Sequence, residues 1–148
     1  MQKFLAMFWS KLFGRKKPET SPKTVLPDLP ALNAWGVLFQ GNGLSLYSRF
    51  AGSLPDGTQY IYLKSYPEVF ELERHVFGDW IYPARNGVYL QQWQDNTALA
   101  CALVYIDFES MEAKVLKTNI AGIAWRTGYE DGQPIIDFGN GVIERLKD

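Results

Sequence analysis

Two patterns of apolar and polar positions divide this chain. Over residues 1 to 13 apolar side chains recur at helical spacing: at 100° per residue, Met1, Phe4, Leu5, Phe8, Trp9, Leu12 and Phe13 fall in one half of the wheel. Lys3, Ser10 and Lys11 fall in the other half, with Gln2 at the apolar edge and Met7 as the apolar exception. From residue 36 onward the pattern changes to short runs of strand-type residues cut by Asn-Gly and Asp-Gly pairs. Asn42-Gly43 leads into Leu44, Leu46 and Tyr47, and 44 positions further on Asn86-Gly87 leads into Val88, Tyr89 and Leu90. A two-residue type I′ hairpin turn needs φ > 0 at both central residues, which Asn-Gly and Asp-Gly supply at least cost. With Asp56-Gly57, Asp131-Gly132 and Asn140-Gly141 carrying the same signal, the pattern predicts a mainly β body built as an antiparallel meander.

The body divides into three hairpin-rich units beginning near Gly36, Gly78 and Gly122, at spacings of 42 and 44 residues. Strands are predicted at 36–40, 43–50, 59–64 and 69–74, then at 80–82, 87–93, 97–108 and 112–117, then at 122–126, 134–138 and 141–146. A period of this length with four short strands matches a β-propeller blade, and three such propeller-blade-like units are too few to close a ring. An open stack, a sandwich or a distorted barrel is therefore expected. Residues 66–77 carry two signals at once. Ser65, Pro67 and Glu68 form a helix start, with Val69, Leu72, Val76 and Phe77 at helical spacing; read with period 2, Phe70, Leu72 and Val76 oppose Glu71, Glu73 and His75. The repeat favours strand there.

Gly14 stops the predicted N-terminal amphipathic helix, and Arg15-Lys16-Lys17 sits at its C-terminal end, where cations suit the helix dipole and anionic headgroups alike. Between Pro18 and Pro30 lie four of the eight prolines, an extended linker of about 40 Å at the polyproline rise. The expected organisation is a helical arm at 1–17, a proline-rich linker at 18–31 and a β domain at 32–148; a chain of 148 residues with 47% hydrophobic content suits one core.

Charge follows the same division. Residues 1 to 25 hold six of the fifteen Lys and Arg and only Glu19 among the sixteen acids, so a basic arm precedes an acidic body. An acidic body argues against nucleic acid as a partner and for a basic protein; the arm suits an anionic membrane surface. The single cysteine, Cys101, rules out an intramolecular disulfide and a Cys-based zinc cage, and a reducing compartment is expected. The apolar run from Phe4 to Trp9 is too short to span a bilayer and is followed by basic residues, not a cleavage site. A cytoplasmic protein, peripheral on the inner face of the membrane through its arm, is the expected location.

No residue set names a reaction. His75, the only histidine, lies among Glu71, Glu73 and Asp79, but one imidazole among carboxylates is a poor transition-metal site and a good solvated face. Cys101 sits in Ala98-Leu99-Ala100-Cys101-Ala102-Leu103-Val104, apolar on both faces, and is expected to be a buried inert thiol. No Gly-x-Ser-x-Gly elbow is present, and Gly41-Asn42-Gly43 lacks the helix and lysine of a phosphate loop. Asp107, Glu109 and Asp137 carry the residue type for glycosidic chemistry without any pattern that selects them. Trp35, Trp80, Trp93 and Trp125 are expected to pack in the core and between strands. No catalytic residue, metal or cofactor is expected.

In size, acidity and lack of a catalytic cluster the chain resembles the small immunity proteins that bacteria make against their own antibacterial toxins. That resemblance implies a binding protein that neutralises a cognate toxin, covering its cleft with acidic loops such as Glu71, Glu73 and Asp79, or Glu130 and Asp131. Two other classes compete with it. One is a small-ligand-binding or hydrolytic β domain with an aromatic pocket. The other is a membrane-surface adaptor located by Phe4, Phe8, Trp9, Leu12, Lys11, Arg15, Lys16 and Lys17.

Overall fold

The computed structural model of the protein describes residues 34–147. The arm and linker expectations at 1–17 and 18–31 lie outside the described residues.

Turn chemistry sets the meander. Asn42 (φ 52°) and Gly43 (φ 84°) form the left-handed pair expected between β1 (Gly36–Gly41) and β2 (Leu44–Ser53). Asp131 (φ 53°) and Gly132 (φ 77°) do the same between β8 (Arg126–Glu130) and β9 (Gln133–Asp137). At Asp56-Gly57 only Gly57 is left-handed, and its N–H donates to the Leu54 carbonyl at 2.9 Å in the turn before β3 (Gln59–Tyr66).

Asn86-Gly87 differs from the expectation. Neither residue has positive φ; residues 84–86 make the turn between β4 (Val76–Pro83) and β5 (Gly87–Trp93), closed by the Ala84 N–H on the Gly87 carbonyl at 2.8 Å. Gly87 is already in the strand. A Cβ there would lie 2.3 Å from the Tyr105 ring and 2.5 Å from the Ile106 carbonyl, so the glycine serves a close approach, not a turn.

Adding β6 (Cys101–Asp107) and β7 (Ala113–Ile120) completes a seven-stranded antiparallel sheet whose spatial order follows the sequence. β8, β9 and β10 (Ile143–Arg145) form a separate three-stranded sheet. The expected unit boundary at Gly78 falls inside β4, where Gly78 pairs with Tyr60 and the sheet runs on unbroken. Gly78 is a glycine because the Gln91 Oε1 sits 1.7 Å from where its Cβ would be. Only the boundary near Gly122 coincides with a change of sheet.

The strand expected at 69–74 is a 3-10 helix, Phe70–Arg74. The Ser65 hydroxyl accepts the Val69 N–H and donates to the Pro67 carbonyl, both at 2.8 Å, which ends β3 and turns the chain. Val69 and Leu72 then drop into the core at 4% and 1% exposure, a burial that neither an edge strand nor a full α-helix at this point was needed to achieve. The strand expected at 97–108 begins only at Cys101, after a 3-10 turn at Gln94–Asn96, and the run expected at 122–126 is irregular until β8.

β5 and β6 are buried on both faces, which accounts for their near-continuous apolar sequence. Val88, Leu90, Ala102, Val104 and Ile106 face a first core with Leu44, Leu46, Leu63 and Phe77. Tyr89, Trp93, Cys101 and Leu103 face a second, closed by Trp125, Ile136, Phe138 and Leu146 of the smaller sheet and its connections. The large sheet curls over the first core until the Phe39 ring stacks on Phe108, 5.8 Å between centroids and 6° between planes. β1 and β7 are not paired with each other.

Candidate functional site

The pairing of Tyr60 with Gly78 sets the β2–β3 turn beside Asp79 and Trp80. Residues 123–125 form the facing wall. Between them lies an open cleft of about 620 Å³ lined by Asp56, Thr58, Gln59, Asp79, Trp80 and Trp125, among others. Its size falls within the usual range for ligand-sized clefts, about 300–1,000 Å³. Trp80 packs edge-on against Trp125 with centroids 5.2 Å apart, and its indole N–H donates to the Thr127 hydroxyl at 3.2 Å. Trp125 is held from behind by Phe138 at 4.9 Å and donates its own N–H to the Gly122 carbonyl at 3.1 Å. The wall is anchored to the large sheet by Gln91, 1% exposed, whose amide donates to the Ile123 carbonyl at 3.0 Å.

Asp56 and Asp79 are the charged residues of this cleft, and none of the described residues lining it is basic. The Asp56 carboxylate accepts the Thr58 N–H at 2.9 Å, and that bond, with a second from the Thr58 side chain, holds its carboxyl below the usual carboxylate range. The cleft is thus a fixed negative charge set beside two indoles. Chemically it suits a cation, which gains from the carboxylates and from the half-buried Trp80 ring beside them, Trp125 itself being buried at 6% exposure.

The residues expected to meet a partner are dispersed. Glu71 and Glu73 are exposed on the 3-10 helix after β3, where Arg74 covers the Phe70 ring at 4.5 Å. Asp79 lines the cleft without them, and Glu130 and Asp131 are exposed at the tip of the β8–β9 hairpin. Asp56 and the Trp80–Trp125 pair were missed by sequence reasoning. The Asp-Gly turn and the Asp79-Trp80 dipeptide were visible, but only strand register brings them together.

A second cleft of about 580 Å³ brings Asp107 and Glu109 together with Asn42, Arg85, Asn86 and Phe108. Asp107 is engaged by the Ser110 N–H at 2.9 Å, which holds its carboxyl low. Asp137 does not line it; its carboxylate accepts the Gly139 N–H at 2.8 Å on the other sheet. The three acids therefore do not assemble. No group of three metal-ligating side chains occurs among the described residues, His75 included. Cys101 is fully buried, and burial pushes its thiol up to about 11.

Of the tryptophans, Trp80, Trp93 and Trp125 pack as expected. Trp35 is 37% exposed and carries Arg49 at 5.4 Å and Lys64 at 4.5 Å from its ring centroid. The membrane-facing set Phe4, Phe8, Trp9, Leu12, Lys11, Arg15, Lys16 and Lys17 lies outside the described residues. Among the described residues no helix is long and apolar enough to cross a membrane. No family model, curated protein or solved structure matches this chain.

Proposed function

We propose that the domain is a protein-binding module that engages and neutralises a basic partner, in the manner of the toxin-immunity proteins it resembles in general character. The observation that carries this proposal is the cleft at Asp56, Asp79, Trp80 and Trp125, which is acidic, aromatic and pre-formed between the large sheet and the β7–β8 connection. A lysine or arginine side chain of the partner enters it, and Glu130 and Asp131 add long-range attraction from the hairpin tip. Such an arrangement favours fast, salt-sensitive association, because unpaired surface acids steer a basic partner before contact. Glu71 and Glu73 form a separate acidic site, not a continuation of the cleft.

The test begins with the full chain as bait in lysate of its native host, and the captured partner is then purified. Asp79→Lys is expected to weaken that complex about tenfold or more, and the Glu130→Lys/Asp131→Lys pair to slow association with a smaller change in dissociation. Partner affinity unchanged by both would end the acidic-surface proposal.

The same cleft also admits a small cationic ligand, since its volume is that of a small-molecule site. Competition separates the two: a small ligand would be displaced by Asp79→Lys without any protein partner being captured.

A further inference from the structure

On the second-core face of the large sheet, β4 to β6 pack against the second core together with Tyr60 of β3 and Ile120 of β7, while among the described residues Tyr47, Arg49, Tyr62, Lys64 and Tyr66 of β2 and β3 lie outside that cluster. Strand register arranges these residues. Arg49 of β2 lies directly opposite Tyr62 of β3, and Tyr47 opposite Lys64. Leu63, between Tyr62 and Lys64, and Leu46, just before Tyr47, face the other way, into the first core. Tyr66 continues the face at 75% exposure, and Trp35 precedes β1.

The cations of this face are held by rings in place of acids. Arg49 lies over both Trp35, at 5.4 Å, and Tyr62, at 5.1 Å, and Lys64 lies over Trp35 at 4.5 Å. Among the described residues the one ion pair is Lys117–Glu144, so neither Arg49 nor Lys64 has a carboxylate. The Arg49 Nε is buried without an acceptor. Partly desolvated and uncompensated, these charges project a positive field from a domain whose overall balance is acidic. Tryptophan, tyrosine and arginine together are the residue types that anchor protein interfaces.

We infer that this face is a second docking surface, opposite in sign to the cleft, and that it takes an acidic segment of a protein partner. The carboxylates of that segment meet Arg49 and Lys64, and its backbone runs beside β1, an open edge whose residues Gly36–Gly41 include no charge. An extended strand with acids at alternate positions presents them about 7 Å apart on one side, a spacing that one face of a sheet can read. Single-stranded nucleic acid fits less well. The ring of Trp35, the widest stacking platform here, is already occupied by both cations, which bases would have to displace and carboxylates would not. The chain's own residues 1 to 17 are basic and carry the wrong sign.

The probe is a short fluorescein-labelled peptide of alternating Glu and Thr, titrated into the full chain by fluorescence anisotropy, with the Lys–Thr peptide and oligothymidylate as comparisons. The acidic peptide is expected to bind best, to lose about tenfold or more in affinity in Arg49→Gln/Lys64→Gln, and to be unaffected by Asp79→Lys. Equal binding to the wild type and the double variant would overturn the inference. So would oligothymidylate binding as tightly with the same dependence on Arg49 and Lys64. Acidic-peptide binding that appears only after deletion of residues 1 to 17 would show that the arm occupies the face, and would overturn it too. If the double variant does not fold, Lys64→Gln alone with a salt titration decides: binding that survives about 0.5 M salt unchanged is not made by these cations.

Discussion

Gly78→Ala tests the link between the two sheets. In the native structure Gln91 is the buried polar side chain that joins them, donating to the Ile123 carbonyl at 3.0 Å and accepting the Trp93 indole N–H at 3.3 Å. A methyl group at position 78 would stand 1.7 Å from its Oε1, 2.8 Å from its Cδ and 3.0 Å from the Trp93 nitrogen. The glutamine, 1% exposed, must move, and both of its hydrogen bonds are disturbed with it. Two buried polar groups then lose their bonds at about 1–3 kcal/mol each, and forced repacking adds a similar amount. The lower unfolded-state entropy of alanine offsets about 0.5–1 kcal/mol.

A net loss of about 2–8 kcal/mol is expected, a fall in Tm of about 8 °C or more for a domain of this size. Urea unfolding followed by tryptophan fluorescence and far-ultraviolet circular dichroism measures it. The cycle with Gln91→Ala is the sharper test. That variant loses the same two bonds on its own, so adding Gly78→Ala to it should cost little, giving a coupling of about 2 kcal/mol. Additive effects, or an unchanged Gly78→Ala midpoint, would refute the account of why position 78 is glycine.

Two further outcomes follow from burial and from the arm. The Cys101 thiol, raised by burial to about 11 from an ordinary 9.0, stays protonated in the folded protein at pH values where the unfolded chain has lost its proton. Stability should therefore decline as pH rises from about 9 to 11, Cys101→Ser should flatten that decline, and native protein at neutral pH should resist a thiol reagent; rapid labelling would contradict the burial. Deleting residues 1 to 17 should move the protein from anionic liposomes into solution with the β domain still folded, since Lys11, Arg15, Lys16 and Lys17 contribute up to about 1 kcal/mol each near such a surface and the apolar stripe adds to them. Equal liposome binding before and after deletion would remove the membrane proposal, and unfolding on deletion would show the arm packing on the domain.

The meander was legible in the sequence because a left-handed turn pair is a local demand that few residues meet. Asn42-Gly43 and Asp131-Gly132 meet it and sit where expected. The same glycine signal misled at positions 78 and 87, where the missing side chain makes room for Gln91 and for Tyr105 contributed by neighbouring strands. Local sequence does not distinguish a glycine that bends the chain from one that lets another strand approach. The three-unit spacing drew on both kinds, and it therefore placed a boundary inside β4.

Charge behaves in the same way. Counting Lys, Arg, Asp and Glu along the chain gives a correct sum and a wrong map, because the sheet sorts charges by register and by face. Asp56 in the β2–β3 turn and Asp79 within β4 meet beside Trp80, while Arg49 and Lys64 meet over Trp35 with no ion pair to a carboxylate among the described residues. On the two proposals made above, a basic and an acidic partner segment would be held at once without competing for the same side chains. A complex that needs both surfaces would respond to Asp79→Lys and to Arg49→Gln/Lys64→Gln separately, with losses that add, since the two sets share no contact.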